Sequence, residues 1–138
     1  MGVYNRILKK SLWVFHMSAS PCNNCDIEVL DLLTPGYDLE RFGIRLVGSI
    51  RHADVLLITG MGGCKISERV VRLYNQAPKP VFVVAVGTCP IGGATFKDSY
   101  SRCGPLDKLI PVNLYIPGCP PKPEAMIEGL LKLLGRLD

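Results

Sequence analysis

The sequence predicts a parallel α/β fold, because short apolar runs alternate along the chain with segments of helical periodicity. The predicted strands are the ranges 12–16, 44–47, 54–59, 81–86 and 111–116. The runs 54–59 and 81–86 place apolar residues on both faces, as strands inside a parallel sheet do. Connections in such a sheet are right-handed, and binding sites lie beyond the carboxyl ends of the strands.

Helices are predicted for the ranges 26–33, 67–76 and 123–134. In the first, the spacing of Ile27, Leu30 and either Leu33 or Leu32 predicts one face directed toward the core. Ser67 is a candidate N-cap of the second helix. Residues 1–11 carry mixed charge, and we expect them to pack on a neighbouring element or to fray.

The composition fits one globular domain over residues 1–138, with 48% hydrophobic and 20% charged residues. No apolar run approaches the roughly 18 residues needed to span a bilayer, and no signal-peptide pattern follows the basic start of the chain. The net charge of +4 is scattered rather than clustered, which argues against nucleic-acid binding. We therefore expect a cytoplasmic protein without a membrane span of its own.

Cysteines follow three of the predicted strands. Cys22 and Cys25 form a CxxC motif after the first strand, and Cys89 and Cys119 follow the fourth and fifth. Because carboxyl ends of parallel strands meet at one sheet edge, we expect these four thiols to converge around one metal centre. Six cysteines without a secretory signal argue against a disulfide framework and favour metal or redox chemistry.

The spacing favours an iron–sulfur cluster with four thiolate ligands, since two ligands arrive together and two arrive singly from distant loops. Structural zinc sites usually present two paired knuckles close in sequence. A thioredoxin-like pair would leave Cys89 and Cys119 unexplained. A zinc site, a dithiol pair and unligated buried cysteines remain the alternatives that the residues alone leave open.

Further candidates lie near these loops. Cys64 follows the third predicted strand and is a candidate extra thiol near the site. Glu28 is a candidate for tuning the centre or coupling it to protons, against a helix first-turn carboxylate. His16 and His52 are more often structural in such positions, and Cys103 is predicted to be structural.

With these residues assembled, the chain resembles the small subunit shared by [NiFe] hydrogenases and respiratory NADH–quinone oxidoreductase (complex I). The resemblance rests on the CxxC motif and on segments 87–93 and 117–121 around Cys89 and Cys119. It implies a flavodoxin-like parallel sheet with helices on both faces and one [4Fe–4S] cluster at the carboxyl edge. Carried over by motif, the ligands are Cys22, Cys25, Cys89 and Cys119.

The details resemble one branch of that family. CxxC is the hydrogenase form of the first motif, whereas Glu28 stands at the spacing of the complex I branch, and the chain lacks the extra cluster domain of soluble hydrogenases. This mixture resembles the membrane-bound energy-converting hydrogenases and their sulfane (polysulfide) reductase relatives.

That resemblance implies a redox subunit of an ion-translocating respiratory complex. Its cluster would relay electrons to or from the active site of a large catalytic subunit, with a ferredoxin-like cluster subunit and membrane subunits as further partners. The resemblance also implies that this chain lies in a peripheral arm of the complex, on the cytoplasmic side of the membrane. The alternatives are a quinone-reducing complex I subunit and a zinc-stabilised binding module without a redox role.

Overall fold

The computed structural model describes residues 2–135. Its strands are β1 (Leu12–Ser18), β2 (Ile44–Leu46), β3 (Val55–Thr59), β4 (Phe82–Val86) and β5 (Leu114–Ile116). Its α-helices are α1 (Gly2–Lys10), α2 (Asn24–Asp31), α3 (Cys64–Gln76), α4 (Thr88–Gly92) and α5 (Pro123–Leu133). Short 3₁₀ helices occupy Leu39–Phe42, Ile50–His52, Ala94–Phe96 and Leu106–Lys108.

The five strands form one sheet in the order β2-β1-β3-β4-β5, and every neighbouring pair is parallel. This is the flavodoxin-like strand order, and the predicted fold class is confirmed. The order reverses between β1 and β3, so the loops that follow the strands surround a crevice at the carboxyl edge. The cysteine loops after β1, β4 and β5 lie at that edge.

Side chains of the central strands alternate between two cores, one on each face of the sheet. In β3, Val55 and Leu57 join the core beneath α2 and α5, here the first core, whereas Leu56 and Ile58 join the core beneath α3, the second core. All four are essentially inaccessible to solvent. Burying each such side chain contributes about 1.5–3 kcal/mol, so these strands form a rigid base for the loops at their ends.

The amino-terminal segment is more ordered than its sequence suggests. Residues 2–10 form α1, with Leu8 buried in the first core and Ile7 exposed. Of the two alternatives expected for this segment, packing on a neighbouring element is confirmed by Leu8 and fraying is wrong for residues 2–10, while Met1 lies outside the described residues. Leu8 provides the apolar contact that keeps this turn of helix on the sheet.

The inward face of α2 differs from the predicted one. Val29 and Leu32 are buried, and Ile27, Leu30 and Leu33 are 56%, 58% and 42% exposed. The sequence of this helix is apolar on two faces, and periodicity alone cannot choose between them. Packing turns Val29 and Leu32 to the first core, so the prediction is wrong for Ile27 and Leu30, and Leu32 rather than Leu33 is the buried alternative.

Helix α3 begins three residues before the predicted start. Ser67 is therefore not its N-cap, and the Ser67 hydroxyl instead donates a 2.8 Å hydrogen bond to the carbonyl of Cys64 one turn earlier. The inward face is as predicted, because Val70 is buried and Val71 and Tyr74 pack against the second core.

Two further differences concern the later loops. Helix α4 was not predicted, since its five residues include a proline and a glycine and carry no readable period. Strand β5 is shorter than predicted because Asn113 lies just before it and pairs with Val83 through both its backbone N–H and its side-chain oxygen.

In the described part of the chain, no helix has the length and apolarity required to cross a bilayer.

Candidate metal centre

The four cysteines of the three motifs all lie at the carboxyl edge of the sheet. Cys22 precedes α2 and Cys25 lies in its first turn, Cys89 lies in α4 directly after β4, and Cys119 follows β5. All four are free thiols; Cys25 and Cys89 are buried, whereas Cys22 and Cys119 are exposed. The site is thus half covered by the protein and half open at its surface.

Electrostatics show that these thiols are neighbours. Burial, and then the charges of Cys89, Cys22, Cys119 and Asp26, together raise the pKa of Cys25 to about 11. Burial, then Cys22 and Cys119, also raise the pKa of Cys89. Thiolates are the metal-binding form, so a cationic group between them would offset this repulsion and displace the thiol protons.

The four donors are not gathered tightly around one point. In residues 2–135, no three His, Cys, Asp or Glu side chains close around a position for a single metal ion. The donor set itself consists of four sulfurs, the ligand type of iron–sulfur clusters and of structural zinc.

Backbone hydrogen bonds join the loops of Cys89 and Cys119. The backbone N–H and the hydroxyl of Thr88 both donate to the carbonyl of Gly118, at 2.9 and 3.0 Å, and Gly87 N–H donates to the carbonyl of Ile116 at 2.8 Å. These bonds continue the β4–β5 pairing beyond the strands. The two loops therefore hold their cysteines in a fixed relation.

Gly87 leaves the room that Cys25 occupies. A Cβ at position 87 would lie 2.8 Å from the Cys25 sulfur and 3.6 Å from the carbonyl oxygen of Gly118, and the residue has a φ of +92°. Any larger residue there would both strain the backbone and displace the thiol. This cradle brings the motif after β1 against the loop after β4, and the residues present fit a group held by all four thiolates.

The Asp26 carboxylate fixes the orientation of α2 and was not anticipated. Ser18 donates to Oδ2 at 2.9 Å, Thr59 donates to Oδ1 at 2.5 Å, and His16 Nε2 lies 3.1 Å from Oδ1. Thr59 is the one polar side chain that is fully buried in the described chain. Two features of the sequence could have indicated these contacts. A carboxylate, Asp26, directly follows a candidate ligand, and hydroxyl side chains, Ser18 and Thr59, stand at the ends of two strands.

Cys64 is not a free thiol, contrary to the expectation for an extra thiol near the site. Its sulfur is bonded to that of Cys103, with the two Cα atoms 4.8 Å apart, so the described chain contains a disulfide although the sequence argued against a disulfide framework. The backbone N–H of Cys64 donates to Ser101, and that of Cys103 donates to Gly62. These contacts bring together cysteines that are 39 residues apart, a proximity that local pattern cannot reveal.

The remaining candidates lie in other surroundings. Glu28 is half-buried on α2, and its negative charge acts on Tyr37, whose pKa is raised first by Glu124, then by burial, Asp31 and Glu28. His52 contacts Trp13 edge to face, with ring centroids 6.3 Å apart, at the amino end of β1. The carboxylate that acts on Cys25 is that of Asp26.

Comparison with known proteins gives the family. Residues 22–133, which contain all four cysteines, match the model of the NADH ubiquinone oxidoreductase 20 kDa subunit. The chain belongs to this family. The resemblance predicted from the cysteine motifs is thereby confirmed.

Relatives from several oxidoreductase complexes are similar along nearly the whole chain. The probable membrane-bound hydrogenase subunit mbhJ of Pyrococcus furiosus is 49% identical over 132 residues, which are 96% of this chain and 79% of that protein. A subunit of the NADH-quinone oxidoreductase of Rubrobacter xylanophilus is 42% identical over 99% of this chain, but over only 53% of its own length.

A solved structure is also similar. A chain of the membrane-bound sulfane sulfur reductase, an archaeal respiratory membrane complex, superposes with a TM-score of 0.85 at 44% identity. The match covers 96% of this chain and 73% of that one. The similar proteins are thus subunits of hydrogenase, NADH–quinone oxidoreductase and sulfane reductase complexes, and this chain is a redox subunit of the same family.

Proposed function

We propose that residues 1–138 form a single domain that carries one [4Fe–4S] cluster on Cys22, Cys25, Cys89 and Cys119 and relays electrons within an oxidoreductase complex. The observation that carries the proposal is the convergence of these four free thiols, from three loops, at one edge of a parallel sheet. The cradle at Gly87 supports it, because it admits a sulfur at that edge.

When bound, the cluster supplies one-electron transfer. The proposed ligands are held in place by two helices and by the hydrogen bonds between two loops. Cys25 lies on a helix that Asp26 fastens to β1 and β3, and Cys89 lies on α4, whose loop is hydrogen-bonded to that of Cys119. Burial of Cys25 and Cys89 excludes water from the inner half of the site. The exposed pair, Cys22 and Cys119, marks the side from which electrons enter or leave.

The partner on that open side is proposed to be a large catalytic subunit. Exposed apolar residues begin two positions after Cys25: Ile27 and Leu30 lie on α2 and Leu33 lies just beyond the helix, so they offer an apolar surface beside the site. Contiguous apolar surface of this kind is typical of protein interfaces. A partner seated there would shorten the distance for electron transfer and cover the exposed ligands.

The relatives' names support the setting. We infer a membrane-bound, ion-translocating respiratory complex of the hydrogenase or sulfane reductase type, in which a ferredoxin-like cluster subunit and membrane subunits accompany the catalytic one. This chain would lie in the peripheral arm on the cytoplasmic side. The similarity to the Rubrobacter xylanophilus NADH-quinone oxidoreductase keeps quinone reduction as the second candidate.

Metal analysis of the anaerobically purified chain tests the cluster. The proposal predicts about four iron and four acid-labile sulfide per chain, and a visible absorption band that dithionite bleaches. Replacing any one of Cys22, Cys25, Cys89 and Cys119 with Ala should remove or degrade the cluster. The matched control is Cys103→Ala, which should leave iron content unchanged.

Two outcomes would contradict the assignment. Full iron loading in the Cys119→Ala protein would show that Cys119 is not a ligand of the cluster. Stoichiometric zinc without sulfide would instead indicate the zinc-stabilised binding module. Hydrogen, polysulfide and quinone assays of the purified complex distinguish the hydrogenase, sulfane reductase and complex I types.

A further inference from the structure

The guanidinium of Arg102 is held in a fixed place beside the end of α4. A Cβ on Gly93 would lie 2.7 Å from both Cζ and Nε of Arg102, so the guanidinium packs directly on the Gly93 backbone. Its Nε donates a 3.3 Å hydrogen bond to the carbonyl of Met61 in the loop after β3. The residue is half-buried, so its charge is partly shielded from solvent.

The backbone around Arg102 is fastened as well. Its N–H donates to the carbonyl of Ser99 at 3.1 Å, and a backbone bridge pairs the residue with Gly63. The next residue, Cys103, is joined covalently to Cys64 at the start of α3. The guanidinium is therefore placed by the tertiary structure and is not a mobile surface charge.

This location puts a cation next to a proposed ligand. Gly93 N–H donates a 2.9 Å hydrogen bond to the carbonyl of Cys89, so the surface on which the guanidinium rests belongs to the same turn as that cysteine. The guanidinium therefore lies against the turn that carries Cys89.

We propose that Arg102 is an electrostatic determinant of the reduction potential of the cluster, with its positive charge fixed beside Cys89 by Gly93, Met61 and the Cys64–Cys103 disulfide. This inference rests on the proposed function. One-electron reduction adds one negative charge to a centre that already has four thiolate ligands. A fixed cation in a partly desolvated setting favours the more negative, reduced form and so raises the potential.

The residue is not one of the motif positions that the sequence singled out. Its role follows from contacts with Met61, 41 positions earlier in the chain, and with Gly93. Nothing in the local sequence around Arg102 indicates that it faces the cysteine loops. The tertiary placement alone makes it a second kind of functional residue, one that acts on the centre without binding it.

Three variants of the full chain test the proposal. Arg102→Gln removes the charge, Arg102→Lys keeps it, and Arg45→Gln removes one exposed charge from β2, where Arg45 pairs with Trp13 near the amino end of β1. The midpoint potential of each cluster-loaded chain is measured by anaerobic potentiometric titration with dithionite, followed by electron spin resonance. Iron content and far-ultraviolet circular dichroism check loading and folding.

We expect Arg102→Gln to have a lower midpoint potential than the wild type, Arg102→Lys to retain most of the wild-type value, and Arg45→Gln to match the wild type. If Arg102→Gln fails to load, Arg102→Met, which keeps an unbranched apolar stem against Gly93, takes its place.

A loaded, uncharged variant with the wild-type potential would overturn the proposal while leaving the proposed function intact. So would a Lys variant shifted as far as the Gln variant, or loss of the cluster from all three Arg102 variants, which would indicate a structural anchor. A wild-type chain without a cluster would overturn the proposed function and this proposal together.

Discussion

The hydroxyl of Thr59 donates a 2.5 Å hydrogen bond to the carboxylate of Asp26, joining the carboxyl end of β3 to the first turn of α2. Thr59 is completely buried, and Asp26 directly follows Cys25. The bond thus transmits the rigid position of a central strand to one of the proposed ligands. Together with the contacts of Ser18 and His16 to the same carboxylate, this bond fastens the first turn of α2 to the sheet.

Thr59→Val should therefore destabilise the metal-free protein. Valine keeps the shape but removes the donor to a carboxylate, and such hydrogen bonds contribute about 1.5–3 kcal/mol. Urea denaturation of the metal-free chain measures the loss in the free energy of unfolding. Thr34→Val is the control, because the Thr34 hydroxyl donates to the carbonyl of Asp31 at an exposed position, and it should cost about 0.5 kcal/mol or less. Equal losses in the two variants would show that the Thr59–Asp26 bond stabilises the fold no more than an exposed hydroxyl hydrogen bond does.

Gly87→Ala should prevent loading of the cluster. The added Cβ would stand 2.8 Å from the Cys25 sulfur, and alanine at a φ of +92° adds backbone strain of roughly 1–2 kcal/mol. Gly92→Ala makes the same chemical change in α4, where the added Cβ would meet no atom within 4 Å. Iron and sulfide content after anaerobic reconstitution is the measurement. A Gly87→Ala chain that loads as fully as Gly92→Ala would contradict the cradle.

The stability of the metal-free chain should fall as the pH rises from about 9 to about 11. Burial and the neighbouring thiols raise the pKa of Cys25 from 9.0 to about 11, so the folded state holds a proton over this range that the unfolded state has released. Because the folded state binds more protons there, the free energy of unfolding decreases with pH; below about pH 9 the thiol is protonated in both states and its contribution is retained in full.

Urea denaturation across this range, with wild type and Cys25→Ser side by side, isolates the effect of the thiol, since serine does not titrate there. Lysines and tyrosines that also titrate are common to both proteins. The difference between the two free energies of unfolding should change with pH in the stated direction. A difference that is constant across the range would show that Cys25 is not the source.

In the structure the charge of Glu28 acts on Tyr37, and the carboxylate that acts on Cys25 is that of Asp26. The hypothesis that Glu28 nevertheless tunes the centre predicts that Glu28→Gln keeps the iron content of the cluster-loaded chain and raises its midpoint potential. A nearby negative charge disfavours the addition of an electron, and removal of that charge relieves the cost. If Glu28 takes up a proton on reduction, the substitution also flattens the dependence of the midpoint potential on pH. Potentiometric titration at several pH values, followed by electron spin resonance, measures both.

The control for Glu28 is Glu128→Gln, at an exposed carboxylate on α5 that pairs with Lys132. Coincident pH slopes in wild type and Glu28→Gln would refute proton coupling. A loss in the free energy of unfolding of about 0.5 kcal/mol with no change in potential would then limit Glu28 to a structural role on α2, whose first-turn carboxylate in the structure is Asp26 rather than Glu28.

Local pattern was enough for the sheet and for the places of the four motif cysteines. Apolar runs such as 54–59 and 81–86 carry the signature of strands buried on both faces, and the parallel arrangement then directs every following loop to one edge. The inward face of α3 could be predicted for the same reason, because a single apolar stripe leaves only one choice. In α2 two apolar faces were available, and the face with Ile27, Leu30 and Leu33 was the wrong one.

The parallel α/β fold, the strand-end positions of Cys22, Cys25, Cys89 and Cys119, and the family resemblance of their motifs could all be predicted from the amino-acid order. The Thr59–Asp26 bond, the Cys64–Cys103 disulfide and the placement of Arg102 against Met61 could not, because they join positions 33, 39 and 41 residues apart. Strand and helix periods, and loops at strand ends, follow from interactions between residues a few positions apart. A contact across the sheet edge depends instead on how whole elements pack and on the one orientation in which their buried polar groups find partners.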